Sequence, residues 1–216
     1  LTSSNIVVMN IKVCGVTSFK QLQQLDGLEI DMAGLVLIPD TPWYAGDSLN
    51  AKEVSKADFD LKKVGILRNP SLSDALDWID AYKLDAIQLI GEESTELCED
   101  LSTAVEVIKL LSIEKDHSSL EKQLQQYDPV CDYYLFTGPF ASSSAIYGTA
   151  FDWNLLSSLR IEKPFFLSGG IGLQQSSVLR KFDHLDFFGA DLNLAFETAP
   201  GEKDFKSILQ FRQLIR

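Results

Sequence analysis

The chain has 216 residues, 45% of them apolar, and a formal net charge of −12. That is enough apolar material for one substantial core, and the acidic balance disfavours nucleic acid or an anionic membrane as a partner. Near-neutral mean hydropathy and the lack of a continuous apolar run of spanning length argue against a transmembrane helix.

The opening Leu1-Thr2-Ser3-Ser4-Asn5 carries no basic segment, and the apolar run at 6–9 is too short for a signal peptide. We therefore expect a cytoplasmic protein, with residues 1–8 an extension to a domain beginning near Met9. A first strand is predicted at 10–14, followed by a helix at 18–25 and a second strand at 34–38. Residues 50–60 have a poor apolar period and read as a short or irregular helix. A strand at 63–67 leads to a helix at 71–82, where Ser71 is placed to cap an apolar face of Ala75, Leu76 and Ile79. Strands at 86–90 and 105–110 flank a helix at 94–101, and a helix at 118–126 precedes a strand at 133–136. The longest irregular stretch, 137–150, is rich in Ser, Gly and Pro. A helix at 153–159 with Asp152 as its cap, strands at 164–167 and 187–192, and helices at 174–182 and 204–214 complete the chain.

Eight strand–helix alternations with right-handed crossovers predict an α/β fold, a (β/α)8 TIM barrel forming one domain over 1–216. Such barrels typically run to about 250 residues, so this is a short one. The alternative, a doubly wound open sheet, lacks a GxGxxG fingerprint. Active sites of closed barrels lie at the C-terminal ends of the strands. Four segments fall there: Cys14-Gly15, 39–44, Ser168-Gly169-Gly170-Ile171 and 191–201. Paired glycines let the backbone approach a ligand, and loops after strands seven and eight often hold phosphate. Cys14 reads either as a small buried hydrophobe or as a base needing a favoured thiolate. Lys12 and Lys109 are the candidate neighbouring cations. Cys14, Cys98 and Cys131 show no CxxC or metal-ligand spacing, so neither a disulfide framework nor a metal site is expected. His117 and His184 lack partners at ligand spacing.

Lys12-Val13-Cys14-Gly15-Val16-Thr17, the run at 34–44, Lys63-Val64-Gly65, Asp85-Ala86-Ile87-Gln88-Leu89, Phe151-Asp152-Trp153, the run at 163–170 and Glu197-Thr198-Ala199-Pro200-Gly201-Glu202-Lys203-Asp204 occur in one order. On these segments the chain resembles the phosphoribosylanthranilate isomerase family over residues 9–211. The resemblance implies an Amadori rearrangement in tryptophan biosynthesis, converting an N-ribosyl anthranilate 5-phosphate to an open-chain aminoketose without cofactor. It implies Cys14 as the base and phosphate binding by backbone N–H groups at Gly169, Gly170, Ala195 and Phe196. Trp43, Gln88 and Ile90 fall at substrate-binding positions. The implied partner is a small phosphorylated molecule, and the assembly a monomer or homodimer.

Departures from the family pattern fall on the chemistry. Thr137 stands where the family has its aspartic acid, Trp43 where it has a carboxylate-binding arginine, and Ile90 where it has a histidine. Ala145-Ile146-Tyr147-Gly148 replaces a Gly-Gly, and Asn193-Leu194-Ala195 a Ser-Ser-Gly. A threonine hydroxyl is no carboxylic acid, so Asp191, Glu197 or Tyr147 would have to supply the proton, with Asp191 the best placed. Three readings follow: an isomerase with an altered acid, a binder of a phosphorylated ligand without turnover, and an isomerase of a related sugar phosphate.

Overall fold

The computed structural model describes residues 9–113, 117–142, 144–157 and 159–216. The expected extension at 1–8 lies outside them. Eight parallel strands close into a barrel in chain order: β1 (Asn10–Cys14), β2 (Met32–Val36), β3 (Lys62–Leu67), β4 (Ala86–Leu89), β5 (Glu106–Ser112), β6 (Tyr133–Thr137), β7 (Phe165–Leu167) and β8 (Phe187–Leu192). Closure comes from β1, which pairs with β2 on one side and β8 on the other, with Lys12 opposite Asp191. The strands are buried almost throughout, as expected when both faces of a parallel sheet are covered.

Alternation along each strand divides the core in two. Ile11, Val13, Val107, Leu111, Tyr134 and Phe136 point outward, beneath the helices. Cys14, Val64, Ile66, Ile108, Leu110, Leu135 and Phe166 fill the barrel interior. Lys109 lies between inward Ile108 and Leu110, so it points outward and does not neighbour Cys14. Its ammonium instead pairs with buried Glu93 at 2.6 Å and lies 5.2 Å from the centre of the Tyr127 ring.

Helices α1 (Phe19–Gly27), α4 (Leu72–Tyr82) and α5 (Thr95–Ser102) are capped by Ser18, Ser71 and Ser94, whose side chains accept backbone N–H groups of the first turn. The weak segment at 50–60 holds only the four-residue helix α3 (Ala51–Val54), just after α2 (Ala45–Ser48). α6 (His117–Tyr127) follows β5, and α8 (Phe205–Ile215) ends the fold. Two expected helices are much reduced. Residues 153–159 form a 3-10 turn, Trp153–Leu156, capped by Asp152 as expected. Residues 174–182 form a 3-10 turn and the four-residue α7 (Ser176–Leu179). Phe182 packs edge-on against Trp153 and Phe165, each at 6.3 Å, which draws the chain onto the barrel and ends the helix. A short hairpin, β9 (Glu197–Ala199) with β10 (Glu202–Lys203), follows β8.

Candidate active site

Lys12 and Cys14 sit two residues apart on β1, so both face the barrel interior. Lys12 is fully buried and its Nζ meets Asp191 Oδ1 at 2.7 Å. Asp191 Oδ2 accepts the Ser168 hydroxyl at 2.9 Å, and Asn193 donates to Ser168 at 3.3 Å. Both oxygens of Asp191 are thus engaged as acceptors, one layer below the thiol. Gly34 makes room for Cys14: a Cβ there would meet the sulfur at 3.3 Å and Ile66 Cδ1 at 2.9 Å. Burial pushes the Cys14 thiol up to about 11, against the opposing pull of Lys12.

The mouth above Cys14 is roofed by two loops. Trp43, in the loop after β2, packs edge-on against Tyr147 with ring centres 5.0 Å apart. Its indole N–H donates to both oxygens of Glu197, at 3.0 and 3.1 Å. Lys203 Nζ bonds to Glu197 and to the Cys14 carbonyl. Gly15 lies in left-handed backbone at φ 79°, and a Cβ there would strike the Tyr147 hydroxyl and approach Trp43 Cδ1 at 2.8 Å.

The long stretch after β6 is ordered in its described residues. The Gly138 N–H donates to the Thr149 carbonyl at 2.9 Å and the Thr149 N–H to the Pro139 carbonyl at 3.0 Å, and Phe140 bridges to Gly148. Arg68, at the end of β3, donates to the Ala145 carbonyl and lies 5.9 Å from the centre of the Phe140 ring. This anchoring lays Ile146 and Tyr147 over the mouth, where they join the interior cluster with Cys14 and Ile90.

Four buried polar atoms face this mouth without a hydrogen-bond partner among the described residues: Gln88 Oε1, Ser112 Oγ, Thr137 Oγ1 and the Tyr147 hydroxyl. Thr137 lies across the mouth, beneath Gly148 and Gly169, where a Cβ on Gly169 would meet its hydroxyl oxygen at 2.7 Å. Tyr147 touches the Cys14 thiol closely enough for each to raise or lower the other's proton affinity, yet the pair falls short of a well-formed hydrogen bond. Unpartnered buried polar atoms are costly, and their concentration here marks a place built for a polar ligand.

Gly169 and Gly170 both adopt left-handed backbone, at φ 84° and 68°, and their N–H groups donate to no described residue. The loop after β8 lies beside them, since a Cβ on Gly172 would touch the Ala195 methyl at 3.5 Å. Ala195 is exposed, whereas Phe196 is not an available donor. Its N–H bonds to the Asn193 carbonyl at 2.9 Å and its ring packs on Phe211, so the expected role for Phe196 is corrected to a core residue. A cavity of about 450 Å³ opens at the glycine pair, with Phe151, Trp153 and Lys181 among its walls. Thiol and glycines therefore share the C-terminal rim, but the β6 loop separates Cys14 from this cavity.

Residues 11–214 match the family model for N-(5'-phosphoribosyl)anthranilate (PRA) isomerase. The chain belongs to the PRA isomerase family. It is 32% identical over 209 residues to N-(5'-phosphoribosyl)anthranilate isomerase of Parabacteroides distasonis, a match covering 96% of this chain and 93% of that protein. The isomerase structure from Thermotoga maritima superposes with a TM-score of 0.80 at 24% identity, covering 96% of this chain and 98% of that one. A PRA isomerase in complex with reduced 1-(o-carboxyphenylamino)-1-deoxyribulose 5-phosphate superposes at 0.78, also at 24% identity and with the same coverage. The (β/α)8 expectation and the family resemblance both hold. Among the described residues no helix is long and apolar enough to cross a membrane, and no group of His, Cys, Asp and Glu is arranged to hold a metal ion.

Sequence reasoning singled out Cys14, Asp191, the glycine pair and Tyr147, and the structure places Cys14, the glycines and Tyr147 at the C-terminal rim with Asp191 one layer below. It missed Arg68 as the anchor of the β6 loop, Ser112 as a mouth residue and Lys203 as a donor to the Cys14 carbonyl. Only Ser112 carried a usable signal, the period-2 alternation of β5.

Proposed function

We propose that this chain performs the isomerisation of its family, converting an N-(5-phosphoribosyl)anthranilate-type aminosugar to its aminoketose without a cofactor. The observation that carries this reading is the Cys14 thiol facing the same mouth as four unpartnered polar atoms, on the rim that bears Gly169 and Gly170. Cys14 is the base for the C2 proton. The phosphate rests on N–H groups of Gly169, Gly170 and Ala195, while Gln88, Ile90 and the Trp43 ring bound the remainder of the substrate. Asp191 holds Lys12 beneath the thiol rather than donating a proton, because its oxygens already accept from Lys12 and Ser168. Thr137 offers a hydrogen bond in place of an acid. Free buried thiols and the acidic surface are in keeping with one domain working in the cytoplasm on a small phosphorylated molecule, as monomer or homodimer, with no nucleic-acid partner.

The test follows the loss of anthranilate fluorescence at high enzyme concentration. Turnover by the natural chain that falls about 10²–10⁴-fold in Cys14→Ala supports the assignment. No turnover from the natural chain overturns it. A second reading, a binder without turnover, is favoured by the neutral Thr137 facing the mouth. Thermal stabilisation by ribose 5-phosphate in the absence of any turnover would select it.

A further inference from the structure

Opening a ribosylamine ring and then removing its C2 proton requires an acid at the ring oxygen and a base at C2. Those atoms are two bonds apart, so the acid and the base must both reach the same end of the bound sugar. The described polar side chains around Cys14 divide clearly on that criterion. Lys12 lies beneath the thiol and pairs with Asp191. Lys203 and Glu197 pair with each other beside it. Thr137 sits across the mouth, under two glycines, where its hydroxyl can donate a hydrogen bond but is no acid. Tyr147 brings a hydroxyl without a well-formed hydrogen bond against both Gly15 and the thiol, with its ring held edge-on by Trp43.

On the isomerase reading, we propose that Tyr147 is the acid of this enzyme and relays the Cys14 proton to the ring oxygen of the sugar. In the first step the ring C1–O bond breaks while the nitrogen lone pair forms the C=N bond. The ring oxygen takes the Tyr147 proton, and Tyr147 takes the thiol proton. Cys14 leaves this step as a thiolate facing a cationic iminium, and Tyr147 is again a phenol. In the second step the thiolate removes the C2 proton, the C1=C2 bond forms, and the C=N π electrons return to nitrogen. The enolamine then tautomerises to the ketone, and Cys14 is once more a thiol.

The relay resolves two difficulties together. Burial holds the Cys14 proton up to about 11 and the Tyr147 proton well above its usual value, so both protons stay on the pair in neutral solution. A thiol so held is no base at rest. It becomes one only by giving up the proton that ring opening consumes.

The experiment measures kcat and KM by anthranilate fluorescence for the natural chain, Tyr147→Phe, and Tyr147→Phe with Thr137→Asp. Tyr147→Phe removes only an unpartnered hydroxyl, and its thermal melt should equal or slightly exceed that of the natural chain. We expect kcat to fall about 10²–10⁴-fold with little change in KM, and Thr137→Asp to restore part of the loss. The active form carries both protons, so kcat/KM of the natural chain should stay level between about pH 7 and about pH 10, with Lys12, Asp191, Lys203 and Glu197 facing the pair throughout. A tenfold rise in kcat/KM per pH unit over that range, or natural kcat in Tyr147→Phe, overturns the relay while leaving the isomerase reading intact. No turnover by the natural chain overturns both.

Discussion

The Lys12 ammonium and the Asp191 carboxylate meet at 2.7 Å inside the barrel, one layer beneath the thiol of Cys14. Neighbouring strands β1 and β8 present them in register, so the pair also ties the closing seam of the barrel. Burial works against the charge on Lys12, but Asp191 and Cys14 together outweigh it and hold the ammonium above its ordinary range. This fixed positive charge is the lasting electrostatic partner of whatever anion forms on Cys14.

Breaking that pair on one side should be severe. Lys12→Met leaves a buried carboxylate without its counter-ion and is expected to destabilise the fold by about 3–5 kcal/mol. Lys12→Met combined with Asp191→Leu should cost clearly less than the sum of the single changes. Urea midpoints of the three variants check this, and simple additivity would contradict it.

Thr137 should behave in the opposite way. Its hydroxyl is buried with no partner among the described residues. Thr137→Val removes that unsatisfied group at nearly constant shape and should stabilise the protein by about 1 kcal/mol. A lowered melting temperature would show that the hydroxyl is satisfied in solution.

Gly169 is set against any side chain. At φ 84°, alanine there is strained by about 1–2 kcal/mol, and its methyl would press on the Thr149 carbonyl and Thr137 Oγ1. Gly169→Ala should therefore lower the melting temperature and weaken protection by ribose phosphates. Unchanged protection would separate the glycine pair from phosphate binding.

Alkaline conditions should weaken the fold in a defined window. Burial pushes Cys14 up to about 11 from the ordinary 9.0. Below the ordinary value both folded and unfolded chains keep the proton, and stability is complete. Between about 9 and about 11 the unfolded thiol ionises and the folded one does not, so stability falls as pH rises. Denaturation midpoints in this range should drop less in Cys14→Ala, and an equal drop would remove Cys14 as a cause. Cys98 and Cys131, also raised by burial, add to the same trend.

The eight strands were legible because β-branched and aromatic runs alternate with capped helical stretches, and Ser71 and Asp152 act as caps where the sequence placed them. Helix lengths at 153–159 and 174–182 were not, since the packing among Phe182, Trp153 and Phe165 joins residues far apart in sequence and overrides local propensity. Lys12 was legible as a candidate neighbour of Cys14, but that their shared face of β1 looks into the barrel was not. Lys109 could not be oriented from sequence because a strand buried on both faces gives no polar side to read. Asp191 was singled out by position, but its two engaged oxygens depend on Lys12 and Ser168, which lie far from it in sequence. Tyr147 lies in a loop whose path is set by Arg68, more than seventy residues earlier in the chain, and no local rule reports that.

The Arg68 anchorage has a thermodynamic consequence. The segment 137–150 is tethered near its middle at the Ala145 carbonyl and zipped at its base between Phe140 and Gly148. Its ends and its centre already occupy fixed positions before any ligand arrives. A substrate reaching from Cys14 to the glycine pair must part this segment, so its anchorage costs part of the binding energy while limiting how far the chain is freed.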